Sequence, residues 1–307
     1  MKKTKHYPRF FGHPRYWPTW LAIAGLHLLA WLPWSLKMAV GRGLGHLAYW
    51  LAKERRHFTE VNIRMAFPER SAAEQQAMVR QSFVSNGMGI AEVATALCRD
   101  TSFLQSRVDF VGLEHFQRAK ASGKGVLVMG FHFSVMDLAG AIHRPFCKVD
   151  IFYKPHRNPL FNCFIEKGRE KNFGLQIPNK DLKTVVRRLR QGQAVWYTPD
   201  QDFGRKVSVF APFFGVEAAS ILMTPRLVKM TGAALVPVRV HRQPDARRYT
   251  LEFLPAVTDF PSGDDAADVA RVNQIIESMI RLHPEQYLRM HRRFKTRPHK
   301  SQPNPYA

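Results

Sequence analysis

A histidine and an aspartate lie close together in the segment HFSVMD, which runs from His132 to Asp137. On one regular helix these two positions would be about 140° apart around the axis and about 7.5 Å apart along it, so the side chains would not meet. They can meet if His132 lies in a loop and Asp137 in the first turn of the next helix. Asp137 would then accept from one imidazole nitrogen and leave the other free to take a proton, as a general base does. The spacing alone does not establish this chemistry, because a lone histidine is more often structural.

The segments around this pair alternate between two hydrophobic patterns. Short apolar runs predict strands at 125–131, 149–154, 194–199, 234–240 and 249–254. Helical spacing predicts helices near 71–98, 112–121, 136–144, 159–172, 181–191, 219–231 and 265–282. This alternation predicts an α/β fold with a mostly parallel central sheet covered by helices. Sites in such folds lie at the carboxyl ends of the strands, and His132 directly follows the first predicted strand.

The amino-terminal segment has the composition of a membrane-embedded helix. Residues 16–36 carry no charged side chain, and tryptophans lie near both ends, as at a membrane interface. Pro18 and Pro33 interrupt a helix, and basic residues flank the segment on both sides. A helix that spans the bilayer and a helix that lies in its interface therefore both stay open, beside a buried core helix. We predict an anchoring segment over 1–52 and a second domain over 53–307.

The charge balance narrows the class of partner. The 307 residues include 46 Lys and Arg against 24 Asp and Glu, a formal charge of +22, and 45% are hydrophobic. This composition excludes a disordered or fibrous chain and predicts attraction to a polyanion. The basic run at 289–297 is predicted to be solvated or to face the membrane rather than to bind nucleic acid. Three cysteines without a CxxC pair indicate a reducing compartment and neither a disulfide framework nor a zinc site.

Several motifs resemble those of one protein family. HxxxxD after a buried strand is similar to the signature of the glycerolipid acyltransferases, and neighbouring segments resemble the late acyltransferases of lipid A biosynthesis. The matching blocks after FPE (67–69) are YKPHRNPL (153–160), KGR (167–169), TPDQDFGRKVSVFAPFFG (198–215) and PEQYLRMHRRFKTRP (284–298). Their order and spacing agree with the family. The sequence departs from it at Lys154, where Arg is common, and at Arg289, which replaces a tryptophan.

The resemblance implies an acyl transfer reaction at the cytoplasmic face of a bacterial inner membrane. A fatty acyl chain would pass from an acyl-carrier-protein thioester to the hydroxyl of a hydroxyacyl chain on a Kdo-bearing lipid A precursor. His132 would be the general base and Asp137 the carboxylate that orients it. Acyl-carrier protein, the lipid A precursor and anionic membrane lipid are the expected partners, and no further cofactor and no metal are expected.

Five further residues are candidates for binding the acceptor. Lys154, Arg157 and Arg169 are the nearest cations for its phosphates and acidic sugars, and Arg169 is the first choice. Asp200 and Asp202 end another strand in a glycine-bearing loop, where they would line the pocket, hold a cation or brace the arginines. Two alternatives stay open: an acyltransferase with another lipid acceptor, and a non-catalytic scaffold that binds anionic lipid.

Overall fold

A seven-stranded sheet forms the centre of the computed structural model, which describes residues 9–146, 148–287 and 290–307. The strands of the described residues are β1 (Val108–Val111), β2 (Val126–Met129), β3 (Val149–Tyr153), β4 (Gln176–Pro178), β5 (Ala194–Tyr197), β6 (Ser208–Phe213), β7 (Val216–Ile221), β8 (Ala234–Arg242) and β9 (Tyr249–Phe253). β6 and β7 form a separate two-stranded sheet, and the other seven strands form the central one. The order across the sheet is β1-β9-β8-β2-β5-β3-β4, and all neighbours are parallel except β8 and β9. The predicted α/β class with a mostly parallel sheet is confirmed.

Helices surround this sheet. They are α1 (Trp17–Trp31), α2 (Trp34–Leu51), α3 (Lys53–Ala66), α4 (Ala72–Cys98), α5 (Leu113–Ala121), α6 (Met136–His143), α7 (Pro159–Arg169), α8 (Leu182–Arg190), α9 (Met223–Thr231) and α10 (Asp265–Leu282). Every residue of β2 and β5 is buried, as expected for central strands with both faces covered. α4 begins with the capping box of Ser71 and Glu74, in which each side chain bonds to the backbone of the other residue.

One predicted helix is wrong at its beginning. The range 219–231 was expected to be helical, but Val216–Ile221 is strand β7, and the helix begins only at Met223. β7 pairs antiparallel with β6 through a tight turn in which Phe214 (φ 52°) and Gly215 (φ 72°) adopt left-handed backbone conformations. Turns with positive φ at both central residues match the twist of paired strands, which explains the hairpin.

The apolar segment 16–36 is not one continuous helix. α1 ends at Trp31, Leu32 is extended (φ −60°, ψ 151°), and α2 begins at Trp34. Leu32 precedes Pro33, and the proline ring disfavours the helical conformation for the residue before it. Within the described ranges, none of the helices has both the length and the apolar character that crossing a bilayer requires. The prediction of a single membrane helix over residues 16–36 is therefore wrong, because this segment contains α1, a break, and the beginning of α2.

α2 lies against α4 with the two backbones in direct contact. A Cβ atom on Gly87 of α4 would lie 2.2 Å from the carbonyl oxygen of Gly41, and one on Gly45 of α2 would lie 2.5 Å from the carbonyl oxygen of Phe83. Only glycine permits this approach. Residues 34–51 thus pack tightly on the remainder of the protein, and the division into domains at residue 52 stays a prediction.

Both amino-terminal helices leave an apolar stripe exposed. On α1 the stripe consists of Trp17, Leu21, Leu28 and Trp31, and on α2 it consists of Leu36, Val40, Leu44, Leu47 and Leu51. Leu21 and Leu28 are each 74% exposed. We call these two rows the apolar stripes. Contiguous exposed apolar surface of this kind marks an interaction surface rather than an ordinary solvent-facing helix.

Candidate active site

His132 and Asp200 come together because their strands are parallel neighbours. Met129 at the end of β2 is in register with Tyr197 at the end of β5. His132 and Asp200 each lie three residues further on, so the two chain segments leave the same edge of the sheet side by side. Gly130 permits this exit, because a Cβ atom there would lie 2.6 Å from the ring of Trp196.

Asp200 holds His132 at two points. One carboxylate oxygen accepts from the His132 backbone N–H at 3.0 Å, and the other lies 2.7 Å from Nδ1 of the imidazole. A carboxylate only accepts, so Nδ1 carries the proton and Nε2 is left as the free base. The Asp200 side chain is fully buried, whereas 19% of the His132 side chain is exposed. The imidazole is thus held by a buried carboxylate while part of its side chain remains accessible to solvent.

The pKa values of this pair move toward the charged forms. Burial opposes the charge on His132, but the Asp200 carboxylate beside it, together with the more distant charge of Asp137, raises the pKa of the imidazole above its usual value. Burial likewise opposes the charge on Asp200, and His132 holds the pKa of Asp200 below its usual range. Asp200 is therefore ionised when His132 accepts a proton.

Asp137 lies in the first turn of α6, as predicted, but its hydrogen bonds go elsewhere. Its Oδ1 accepts from Arg169 Nε at 2.8 Å and from Arg169 Nη2 at 2.5 Å. The predicted contact between Asp137 and an imidazole nitrogen is replaced by the contact with Asp200. Arg169, at the end of α7, is buried and also lies over the ring of Tyr153. Arg169, the residue that we expect first to bind the acceptor, is thus paired with the carboxylate of Asp137 in this structure.

The loop from His132 to Asp137 is held on its far side by a buried ion pair. Arg242 at the end of β8 pairs with Glu92 of α4 through two hydrogen bonds of 2.6 and 2.8 Å. The same guanidinium donates to the hydroxyl of Ser134 at 3.2 Å, and Ser85 shares a hydrogen bond with Ser134 at 3.1 Å. Sequence patterns did not single out these residues, since their contacts join segments far apart in the chain. The network ties the loop to β8 and α4.

The remaining predicted residues lie around the same edge. Lys154 and Arg157 follow β3, next to β5, and are exposed; in the part of the chain that the structure describes, neither makes an ion pair. Asp202 accepts from Gly204 N at 2.8 Å and from the backbone and hydroxyl of Thr296 at 2.9 and 3.0 Å. Asp202 therefore braces two loops, not the arginines.

The basic run near the end of the sequence is only partly solvated. Arg289 lies outside the described residues, and Arg292 is exposed. Arg293 is buried, where it donates to the carbonyl oxygen of Ala219 at 2.8 Å and to the hydroxyl of Ser220 at 2.7 Å. The prediction of a solvated or membrane-facing run is wrong for Arg293, because β7 offers its guanidinium two oxygen acceptors.

His291 is a residue near the site that the sequence reading placed only in the basic run. Its ring centroid lies 6.2 Å from that of His132. Burial, and then the charge of His132, lower the pKa of His291. A second imidazole, whose charged form is disfavoured, therefore lies beside His132. Over the described ranges, no group of three or more His, Cys, Asp or Glu side chains is arranged to hold a metal ion.

The fold and the site define an α/β protein with a histidine–aspartate pair at the carboxyl edge of a mostly parallel sheet. The profile of the family described as bacterial lipid A biosynthesis acyltransferase matches residues 4–296. With this match over nearly the whole sequence, the chain belongs to that family and is an acyltransferase.

Individual relatives agree with the profile. The lipid A biosynthesis lauroyltransferase of Escherichia coli (strain K12) is 38% identical over 290 residues, which cover 93% of this chain and 94% of the relative. The palmitoleoyltransferase of the same organism is 37% identical over 293 residues, with 95% of each chain covered. The myristoyltransferase is 30% identical over 300 residues, with 96% and 93% covered. The three relatives differ in the acyl chain that their names give, so chain length does not follow from family membership.

Proposed function

We propose that this protein transfers a fatty acyl chain from an acyl-carrier-protein thioester to a hydroxyl of a hydroxyacyl chain on a Kdo-bearing lipid A precursor. The observation that supports a catalytic role most directly is the His132–Asp200 pair at the sheet edge, in a chain of this family. Nε2 of His132 takes the hydroxyl proton as the oxygen attacks the thioester carbon. The C–S bond breaks, and the imidazolium returns the proton to the leaving thiolate.

The two carboxylates have different parts in this proposal. Asp200 fixes the imidazole tautomer and stabilises the imidazolium through its 2.7 Å contact. Asp137 adds negative charge near the ring and holds Arg169 in place. Arg169 is then a positioning residue, and the exposed cations Lys154 and Arg157 are the groups that bind phosphates or acidic sugars of the acceptor.

The apolar stripes are the proposed membrane contact. The acceptor is a lipid, so the site has to reach a bilayer surface. Helices with an exposed apolar row and nearby basic residues lie in the membrane interface, with the apolar row among the acyl chains. We propose that α1 and α2 lie in this way on the cytoplasmic face of the inner membrane. Anionic lipid would add an electrostatic contribution that weakens with salt, because the chain carries a formal charge of +22.

Mass spectrometry of a reaction with purified protein tests the proposal. The reaction would contain an acyl-carrier-protein thioester and the Kdo-bearing precursor, and we expect the precursor to gain the mass of one acyl chain. His132→Ala should lower the rate by roughly 10²–10⁴-fold, the usual contribution of a general base. His57→Ala removes an exposed imidazole of α3 and is the matched control.

Two results would contradict this function. If the parent protein adds no acyl chain to the precursor, the acceptor or the reaction is different. If the parent is active and His132→Ala stays within a few-fold of it, His132 is not the base.

A further inference from the structure

A cavity lies between α2, α4 and the end of β8. Its volume is about 360 Å³, in the range of small-molecule sites. The ionisable side chains that line it are Arg42, His46, Arg80, Arg242, His283 and Glu285. Apolar side chains, including Val84 and Met88, complete the wall. His132 and Asp200 do not line this cavity, so it is a second concave surface of the protein.

The cavity carries positive charge that nearby carboxylates do not fully neutralise. Arg242 is paired with the buried Glu92. Arg42 and Arg80 are both exposed, and within the described ranges neither has a carboxylate at ion-pair distance. Glu285 is the acid in the lining. Two arginines facing one acid, beside apolar side chains, fit a ligand that combines an anion with carbon-rich parts.

Two of the residues that line the cavity, Arg42 and His46, lie on α2, the helix that also carries one of the apolar stripes. At 100° per residue, Arg42 and His46 lie next to the buried face of α2, and the stripe from Leu36 to Leu51 lies on the opposite side. Trp50, which is 66% exposed, lies on the arc between His46 and the stripe. Exposed tryptophans lie at the headgroup level of a membrane. With the stripe in the bilayer, as proposed above, Arg42 and His46 therefore lie near the level of the lipid phosphates.

We propose that this cavity binds the phosphate of an anionic glycerophospholipid of the surrounding bilayer, with Arg42 and Arg80 as its ligands. The glycerol carbons of the lipid contact Val84 and Met88. This lipid is neither the acyl donor nor the acceptor, so the proposal goes beyond the reaction above. A lipid bound here fixes the rotation of the protein on the membrane surface.

Vesicle binding by the full-length protein tests this site. The vesicles contain phosphatidylcholine alone or phosphatidylcholine with phosphatidylglycerol, and the variant is Arg42→Ala/Arg80→Ala. The control is Arg118→Ala/Lys124→Ala, which removes the same charge from an exposed cavity at the amino ends of β2 and β8. A cation at a lipid surface contributes about fivefold in binding, so the double variant should bind phosphatidylglycerol vesicles about 25-fold more weakly.

The comparison between the two double variants distinguishes specific binding at this cavity from a general effect of net charge on vesicle binding. We expect the control pair to stay within about twofold of the parent and binding to pure phosphatidylcholine to be equal for all proteins. Glu285→Gln should strengthen binding to phosphatidylglycerol, because it removes the opposing charge. Unchanged thermal unfolding midpoints would show that the substituted proteins are folded.

Three outcomes would overturn the proposal. Equal weakening by both pairs would show a general charge effect. Equal loss on pure phosphatidylcholine would show that no anionic headgroup is bound. Unchanged vesicle binding with a raised acceptor KM would assign the cavity to the lipid A precursor. Because the readout is binding, failure of the acyl transfer reaction would not affect this test.

Discussion

The edge of the sheet around His132 and the helix pair α1–α2 differ in which side chains they bury. The sheet edge buries charged side chains, whereas the helix pair exposes apolar ones. At the sheet edge, Asp200 and Arg242 are buried, and each has charged or polar partners within 3.0 Å. On α1, Leu21 and Leu28 are exposed to solvent. Buried charges with hydrogen-bond partners are stabilised within the fold. Exposed leucines stabilise a protein only when other apolar groups cover them and remove their surface from water. The polar groups of the sheet edge are satisfied within the chain, whereas the helix pair leaves these apolar side chains exposed.

The largest expected effect is a loss of acyl transfer rate when the buried carboxylate at the sheet edge is replaced. Asp200→Asn should lower the rate of acyl transfer by about 10³–10⁴-fold, because an amide neither fixes the same tautomer nor stabilises the imidazolium. Asp137→Asn should be less damaging, since its contacts are with Arg169 and not with the ring. Steady-state rates of the two variants check this order. A larger loss for Asp137→Asn would return the orienting role to Asp137.

The pH dependence sharpens the same contrast. A base is active when unprotonated, so the rate should rise with pH through the raised pKa of His132 and then level off. Asp200→Asn removes the main charge that raises this pKa, so the rising limb should move to lower pH. The residual activity of the variant measured across a pH series checks the direction. A limb that does not move would mean that Asp200 does not set the His132 pKa.

The next effect tests whether the apolar stripe of α1 contacts a lipid surface. Leu21→Ser/Leu28→Ser should weaken vesicle binding about a hundredfold, since burying each leucine contributes about 1.5 kcal/mol or more. Leu175→Ser/Leu282→Ser, at exposed leucines elsewhere, is the control and should have little effect. Flotation at high salt removes the electrostatic part. Equal behaviour of the two pairs would show that the α1 stripe does not contact lipid.

A smaller effect concerns the attachment of α2 to the fold. Gly87→Ala should reduce the free energy of unfolding by about 1–3 kcal/mol, because the new methyl group overlaps the backbone of α2. Gly43→Ala lies on α2 with open space around it and should stabilise the helix by about 0.5–1 kcal/mol. Denaturant unfolding of both variants checks the signs. Two changes of the same sign would contradict the close contact of α2 and α4.

The smallest effect comes from a buried lysine of α2. Lys37 donates to the carbonyl oxygen of Ala30 at 2.6 Å and to the hydroxyl of Thr95 at 3.0 Å, and burial lowers its pKa from 10.5 to about 8. Between these pH values the unfolded chain binds more protons at this group, so stability should rise with pH. Lys37→Met should lose this slope in urea unfolding. The same slope in both proteins would mean that Lys37 keeps its ordinary pKa.

The sequence could predict features that depend on neighbours along the chain. The alternation of apolar runs predicted strands β2, β3, β5, β8 and β9, and the family motif located His132 at a strand end. Asp200 was predicted at the site but not as the partner of His132, because that contact depends on the register of two strands. The burial of Arg293 depends in the same way on oxygens of β7, 73 or 74 positions away. Patterns read along the chain carry no information about such pairings.

The distance between His132 and its carboxylate along the chain also orders events during synthesis. His132 is made 68 positions before Asp200, so the emerging chain carries an imidazole without its partner. The loop that bears Asp200 gains its further contacts still later, when Tyr287 donates to the Asp200 carbonyl oxygen and Thr296 donates to Asp202. The contacts that surround His132 are therefore completed only when residues 287–296, near the end of the sequence, have been made.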